Sequence, residues 1–169
     1  QRKATKDPAT RREAPANKAK VAWLPTHGLV YLQVDDSEKV LKVILPVEGK
    51  GLWSTLYGFL ALEADGNTVA GLTFYEHAET PGLGGEIDNP DWISLWPGRK
   101  GYDASFTAKL TVKKGPAGTP EDDPHNVDGI SGATLTGRGV GELVLFWLGD
   151  SGFGPYLAKF HGKGGRGNE

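Results

Sequence analysis

Thr55-Leu56-Tyr57-Gly58-Phe59-Leu60-Ala61-Leu62-Glu63 and Asn67-Thr68-Val69-Ala70-Gly71-Leu72-Thr73-Phe74-Tyr75-Glu76-His77 flank the pair Asp65-Gly66. Both runs are rich in aromatic and β-favouring residues, and Asp-Gly suits a two-residue turn that needs positive φ. The stretch therefore predicts an antiparallel hairpin. Outward from it, Val30, Leu32 and Val34 alternate with Tyr31, Gln33 and Asp35, while Leu41, Val43 and Leu45 alternate with Val40, Lys42 and Ile44. Ala108, Leu110 and Val112 alternate with Lys109, Thr111 and Lys113. This period of two marks half-exposed strands. Asn89-Pro90 is a cap followed by a first-turn proline, and Pro97 stops the segment, which predicts a short helix near 90–95. A longer helix is predicted from near Gly132 to about Leu148, with Val140, Leu143, Val144 and Trp147 on one buried face and Gly149 and Gly152 closing it. Residues 114–127 read as a turn-rich connection. The predicted class is α+β, a twisted antiparallel sheet packed with helices.

The chain has 169 residues, which suits one domain, and no Cys, which excludes disulfides, thiolate metal sites and thiol nucleophiles. Its 25 Gly and 11 Pro predict many tight turns. Charge is uneven. Residues 1–20 carry seven bases and two acids, net +5, and the rest carries twelve bases and nineteen acids, net −7. An acidic body argues against nucleic-acid binding. The basic stretch, with Pro8 and Pro15 in it, reads as a solvated leader. The apolar runs Leu143–Leu148 and Leu56–Leu62 fall far short of a membrane span.

Few chemistries survive inspection. His27, His77, His125 and His161 are scattered without ligand spacing, and Asp65-Gly66-Asn67 is too short for a calcium loop. Ser131 lies in Ile130-Ser131-Gly132-Ala133-Thr134, which lacks the Gly-x-Ser-x-Gly pattern of a nucleophile elbow. The glycines of Gly137-Arg138-Gly139-Val140-Gly141 fall inside a predicted helix, not between strand and helix, which weakens a dinucleotide reading. The informative segment is Asp128-Gly129-Ile130-Ser131-Gly132-Ala133-Thr134-Leu135-Thr136. It is a hydroxyl-rich head of a helix, with small residues that let a ligand approach, and free amides there favour a phosphate. Thr136 lies four residues before Val140, at the edge of the buried stripe. Its hydroxyl is either a satisfied core group or an attachment point held close to the protein.

Ser131-Gly132-Ala133-Thr134-Leu135-Thr136, preceded by Asp128 and followed by Gly139-Val140, resembles the flavinylation motif of the FMN-binding domain family. The resemblance implies FMN joined by a phosphoester bond to the last threonine of the motif, Thr136. It assigns Asp128, Ser131, Gly132, Ala133 and Thr134 to the phosphate side and to recognition by a separate, Mg-dependent flavin transferase that uses FAD. An unactivated hydroxyl is a weak nucleophile, which explains the need for that enzyme. Glu79-Thr80-Pro81-Gly82-Leu83-Gly84-Gly85-Glu86-Ile87 is similar to a loop of membrane-bound electron-transport flavoproteins. Gly49-Lys50-Gly51-Leu52-Trp53-Ser54, Leu72–His77 and the tail Trp147–Pro155 resemble the C subunits of sodium-translocating NADH:quinone oxidoreductases.

Together these motifs imply an electron-carrying flavoprotein subunit that hands single electrons between neighbouring redox subunits and turns over no diffusible substrate itself. Backbone amides of Thr80 to Gly84, with Glu79 and Gly82 in that loop, would meet the polar edge of the flavin. Leu52, Trp53 and Leu83 would cover its apolar faces. The resemblance also implies that residues 1–27 are a leader following a membrane anchor outside this chain, and that 28–169 form the FMN-binding domain on the periplasmic side of the inner membrane. Two other readings compete. One is the G subunit of an Rnf-type electron transport complex; the other is a cofactor-free binding module using Trp53, Trp92 and Trp96 as platforms.

Overall fold

The structure, a computed structural model, describes residues 5–162. Two short strands, β1 (Arg11–Glu13) and β2 (Trp23–Pro25), pair antiparallel. The main sheet follows: β3 (Tyr31–Val34), β4 (Val40–Lys50), β5 (Thr55–Glu63) and β6 (Val69–Glu76), each antiparallel to its neighbour in chain order. The predicted hairpin is β5–β6. Its connection is the longer loop 64–67: the Glu63 amide donates to the Thr68 carbonyl at 2.7 Å, and Asp65 Oδ1 accepts from the Asn67 and Thr68 amides. Gly66 supplies the positive φ, +67°.

Alternation decides which face of the sheet is covered. Leu56, Leu60 and Leu62 of β5, with Val43, Leu45 and Val47 of β4, point inward and are buried. Helix α2 (Thr134–Leu148) lies on that face, and the short α1 (Pro90–Ile93) precedes it, capped by the Asn89 side chain as expected. Val140, Leu143, Val144 and Trp147 are all buried, each contributing about 1.5–3 kcal/mol. Gly139 lets α2 sit directly on the Lys50–Gly51 backbone, because a Cβ there would run into the Lys50 carbonyl. Close packing, not phosphate binding, explains that glycine.

Four features depart from the sequence reading. Helix α2 starts at Thr134, not Gly132, since φ at Gly132 is +73°. The strand expected at 108–113 shrinks to β7 (Thr111–Val112), which pairs in parallel with β8 (Asn126–Val127) inside the supposed turn region. That region is held by Arg99, 1% exposed, whose guanidinium donates to the carbonyls of Leu95, Gly118, Thr119 and Asp123. A last helix, α3 (Gly154–Gly162), buries Leu157 and Phe160. Finally, the described part of the stretch expected to be a solvated leader, from residue 5 on, folds back. Ala19, Val21 and Leu24 are buried, the Lys50 amide donates to the Ala19 carbonyl at 2.8 Å, and Arg11 stacks on Trp23. Among the described residues no helix is long and apolar enough to cross a membrane.

Candidate functional site

The loop ahead of α2 is fixed from behind. The Trp92 indole donates to the Asp128 carbonyl at 2.9 Å, and the Asp128 carboxylate accepts from the Ala117 amide at 2.8 Å. The Ala133 amide turns back to Ile130, which leaves Ser131, Gly132 and Thr134 exposed and Ala133 buried. Ala133 offers no side-chain acceptor to the first turn of α2, so those amides keep their partial positive charge. Beside them lies a cleft of about 460 Å³ lined by Lys113, Lys114, Ser131, Thr134 and Arg138. Lys114, Arg138 and the helix N-terminus suit a phosphate group there, with Lys113 close by but paired to Asp123 at 3.3 Å. Thr134, the first helical residue, is exposed and lines this cleft.

Thr136 faces the other way. It is 1% exposed, and its hydroxyl donates to Glu79 Oε2 at 2.6 Å. Glu79 is itself 5% exposed and gathers the neighbouring turn: Oε2 accepts from the Leu52 amide, and Oε1 from the amides of Trp53 and Ser54 and the Ser54 hydroxyl. Burial alone would raise its pKa. The hydrogen bonds from Thr136, Ser54, Trp53 and Leu52 outweigh burial and set the carboxyl below its ordinary range, so it is ionised at neutral pH. Gly84 is required beside this pair, since a Cβ there would stand 2.5 Å from the Thr136 hydroxyl oxygen. The sequence motif places Glu79 in the flavin loop but gives no sign of this contact, which spans 57 residues.

Around this hub stands an exposed apolar rim. Leu52 is 41% exposed, Trp53 66%, Leu83 46% and Leu135 53%. Leu83 reaches the motif, its Cδ2 lying 3.1 Å from where a Gly132 Cβ would be. A concentration of large exposed side chains at one rim marks a binding surface. The amides from Thr80 to Gly84 are not all available as expected, because Leu83 donates to the Thr80 carbonyl, as does Gly85. Gly82, exposed at φ +72°, faces open space. Trp92 and Trp96 are 7% and 0% exposed, so two of the three supposed platforms of a cofactor-free binding module lie in the core. Among the described residues no group of acidic and histidine side chains is set to hold a metal.

The chain is similar to several known proteins. The profile of the FMN-binding domain family matches residues 51–149. The C subunit of the Na(+)-translocating NADH-quinone reductase of Vibrio parahaemolyticus is 52% identical over 97% of this chain and 62% of that protein. Its counterpart in Pasteurella multocida is 48% identical over 93% of this chain and 60% of that protein. The crystal structure of Shewanella oneidensis NqrC superposes with a TM-score of 0.87 at 40% identity, covering 95% of this chain and 73% of that one. The crystal structure of the corresponding protein from Parabacteroides distasonis gives 0.64 at 36% identity, covering 76% and 61%. The chain spans about 62% of the length of the first curated relatives it matches.

Proposed function

This chain belongs to the FMN-binding domain family, and from that premise we propose that it is the flavin-carrying part of the C subunit of a sodium-translocating NADH:quinone reductase, with FMN joined by a phosphoester bond to Thr134. In this reading it passes electrons one at a time between neighbouring redox subunits of the complex, on the periplasmic side of the inner membrane. The names of its relatives and the resemblance of its motifs support the assignment.

A single contrast carries the choice of anchor. The motif points to Thr136 as the tether, yet that hydroxyl is buried and already bonded to Glu79, where neither a transferase nor a phosphate can reach it. Thr134, two residues earlier, is exposed and lines the cationic cleft. Bound there, FMN would supply one- and two-electron redox chemistry. Lys114 and Arg138 would neutralise its phosphate, and the first-turn amides of α2 would add to them. Leu52, Trp53, Leu83 and Leu135 would shield the ring, and Glu79 would keep the Leu52–Ser54 turn in place beneath it. Attachment forms a bond from the Thr134 oxygen to the FMN-side phosphorus of FAD. The pyrophosphate bond breaks, AMP leaves, and the hydroxyl proton is released. An unactivated hydroxyl is a weak nucleophile, in keeping with a separate transferase.

Intact mass after co-expression with a flavin transferase tests the proposal. The wild-type chain gains the mass of FMN less water and stays yellow after denaturation. Thr134→Ala stays unlabelled, and Thr136→Val is labelled. Label on Thr134→Ala overturns the assignment of the anchor; an unlabelled wild-type chain overturns the flavin reading.

A further inference from the structure

Lys18, Lys20, Lys50 and Arg138 converge on one groove of about 620 Å³ beside the head of α2. Leu52 and Leu135 line it as well, and Glu142 is the single carboxylate among its lining residues. Two of these cations come from the segment that composition alone reads as a solvated leader. The structure pins them. The Asn17 side chain donates to the Pro15 and Val21 carbonyls and accepts from the Val21 amide, closing the turn that carries both lysines. Ala19 between them is 1% exposed, and its carbonyl takes the Lys50 amide. Lys20 is held at φ +57°, a left-handed conformation that a residue with a Cβ adopts only under constraint. Wedging Ala19 inward turns Lys18 and Lys20 outward, and both are exposed. The Lys18 side chain is 84% exposed, with Glu142 no closer than 4.0 Å.

This concentration of positive charge stands on a body whose residues after 20 carry a net −7. It also borders the surface where Leu52 and Leu135 would meet the flavin. We propose that the groove is a docking face for an acidic patch on the protein that exchanges electrons with this domain. The purpose of the docking rests on the flavin reading; the docking itself needs only Lys18, Lys20 and Lys50, since Arg138 also lines the phosphate cleft. A protein is the occupant that the position favours: the groove adjoins the exposed Leu52 and Leu135, which would wall the flavin, so a partner's redox group seated there comes within reach of the ring, whereas a lipid surface exchanges no electrons with it. Opposite charge across such a face steers encounter and fixes orientation, and salt screens it.

The test uses the whole chain, flavin-free and flavin-labelled, titrated with an acidic [2Fe–2S] ferredoxin of plant type as the probe and a basic cytochrome c as the control. We expect ferredoxin to bind both forms at low salt, to be released at high salt, and to outbind cytochrome c. Lys18→Glu with Lys20→Glu should weaken ferredoxin binding about tenfold, and Lys18→Glu alone about threefold, with the extent of flavin labelling by intact mass unchanged. Binding that ignores salt or both charge reversals overturns the proposal. So does equal charge-dependent binding to phosphatidylglycerol vesicles, which would make the face a membrane contact. Loss of labelling in the wild-type chain with docking intact would sink the flavin reading and leave the docking face standing.

Discussion

Replacing Thr136 by Val keeps the size and branching of the side chain and removes only the hydroxyl that donates to Glu79 at 2.6 Å. A buried hydrogen bond to a charged acceptor contributes about 1.5–3 kcal/mol. Glu79 keeps the Leu52, Trp53 and Ser54 amides and the Ser54 hydroxyl, so its charge is not stranded and the loss falls near the middle, about 2 kcal/mol. For a chain of 169 residues that corresponds to a Tm lower by about 4–8 °C. The flavin label should survive, because the Thr134 hydroxyl and the cationic cleft are untouched. Thr134→Ala is the mirror image. It truncates an exposed side chain, so stability should stay within about 0.5 kcal/mol, and the label should vanish. Thermal melts and intact masses of both variants after co-expression with the transferase read all four quantities. An unlabelled Thr136→Val chain with an unchanged Tm would refute the reasoning, because Thr136 would then be an accessible anchor and not a core hydroxyl.

Acid should loosen the same hub. The Glu79 carboxyl titrates below the ordinary 4.5, so its contribution is complete above that pH and is lost as pH falls through its folded value. Asp65 and Asp123 shift in the same direction, so the informative quantity is the Tm difference between wild type and Glu79→Gln, which should narrow progressively below about pH 4.5. Gly139→Ala gains about 1 kcal/mol of helix propensity yet drives a methyl group into the Lys50 carbonyl. A net loss of about 1–3 kcal/mol in urea unfolding is expected, and net stabilisation would mean that α2 is not seated as described. Trp53→Ala, at a side chain 66% exposed, should change stability by less than about 0.5 kcal/mol. In the labelled protein it should raise flavin emission, and unchanged emission would remove Trp53 from the ring wall.

What can be read in the chain is what neighbouring residues decide among themselves. The β5–β6 alternation, the Asn89-Pro90 cap and the stripe from Val140 to Trp147 each lie within one element, and each is found. What escapes depends on residues far apart in sequence. Ala19 sits between two lysines, and Val21 and Leu24 belong to a five-residue apolar run without strand-like alternation, so only Lys50 and the sheet beyond make them core. Nothing near Arg99 announces that carbonyls from a distant loop will surround it. Glu79 illustrates both cases: its loop is recognisable, but its partner, Thr136, comes from the far end of the fold. The choice between the two threonines is nevertheless within reach. The helical phase that buries Val140 and Leu143 also buries Thr136, four and seven residues before them, and leaves Thr134 two residues out of phase. A motif says which chemistry a segment carries, while helical phase says which hydroxyl meets solvent. Where the two disagree, the phase is the stronger guide, because attachment from outside needs an oxygen that the coupling enzyme can reach.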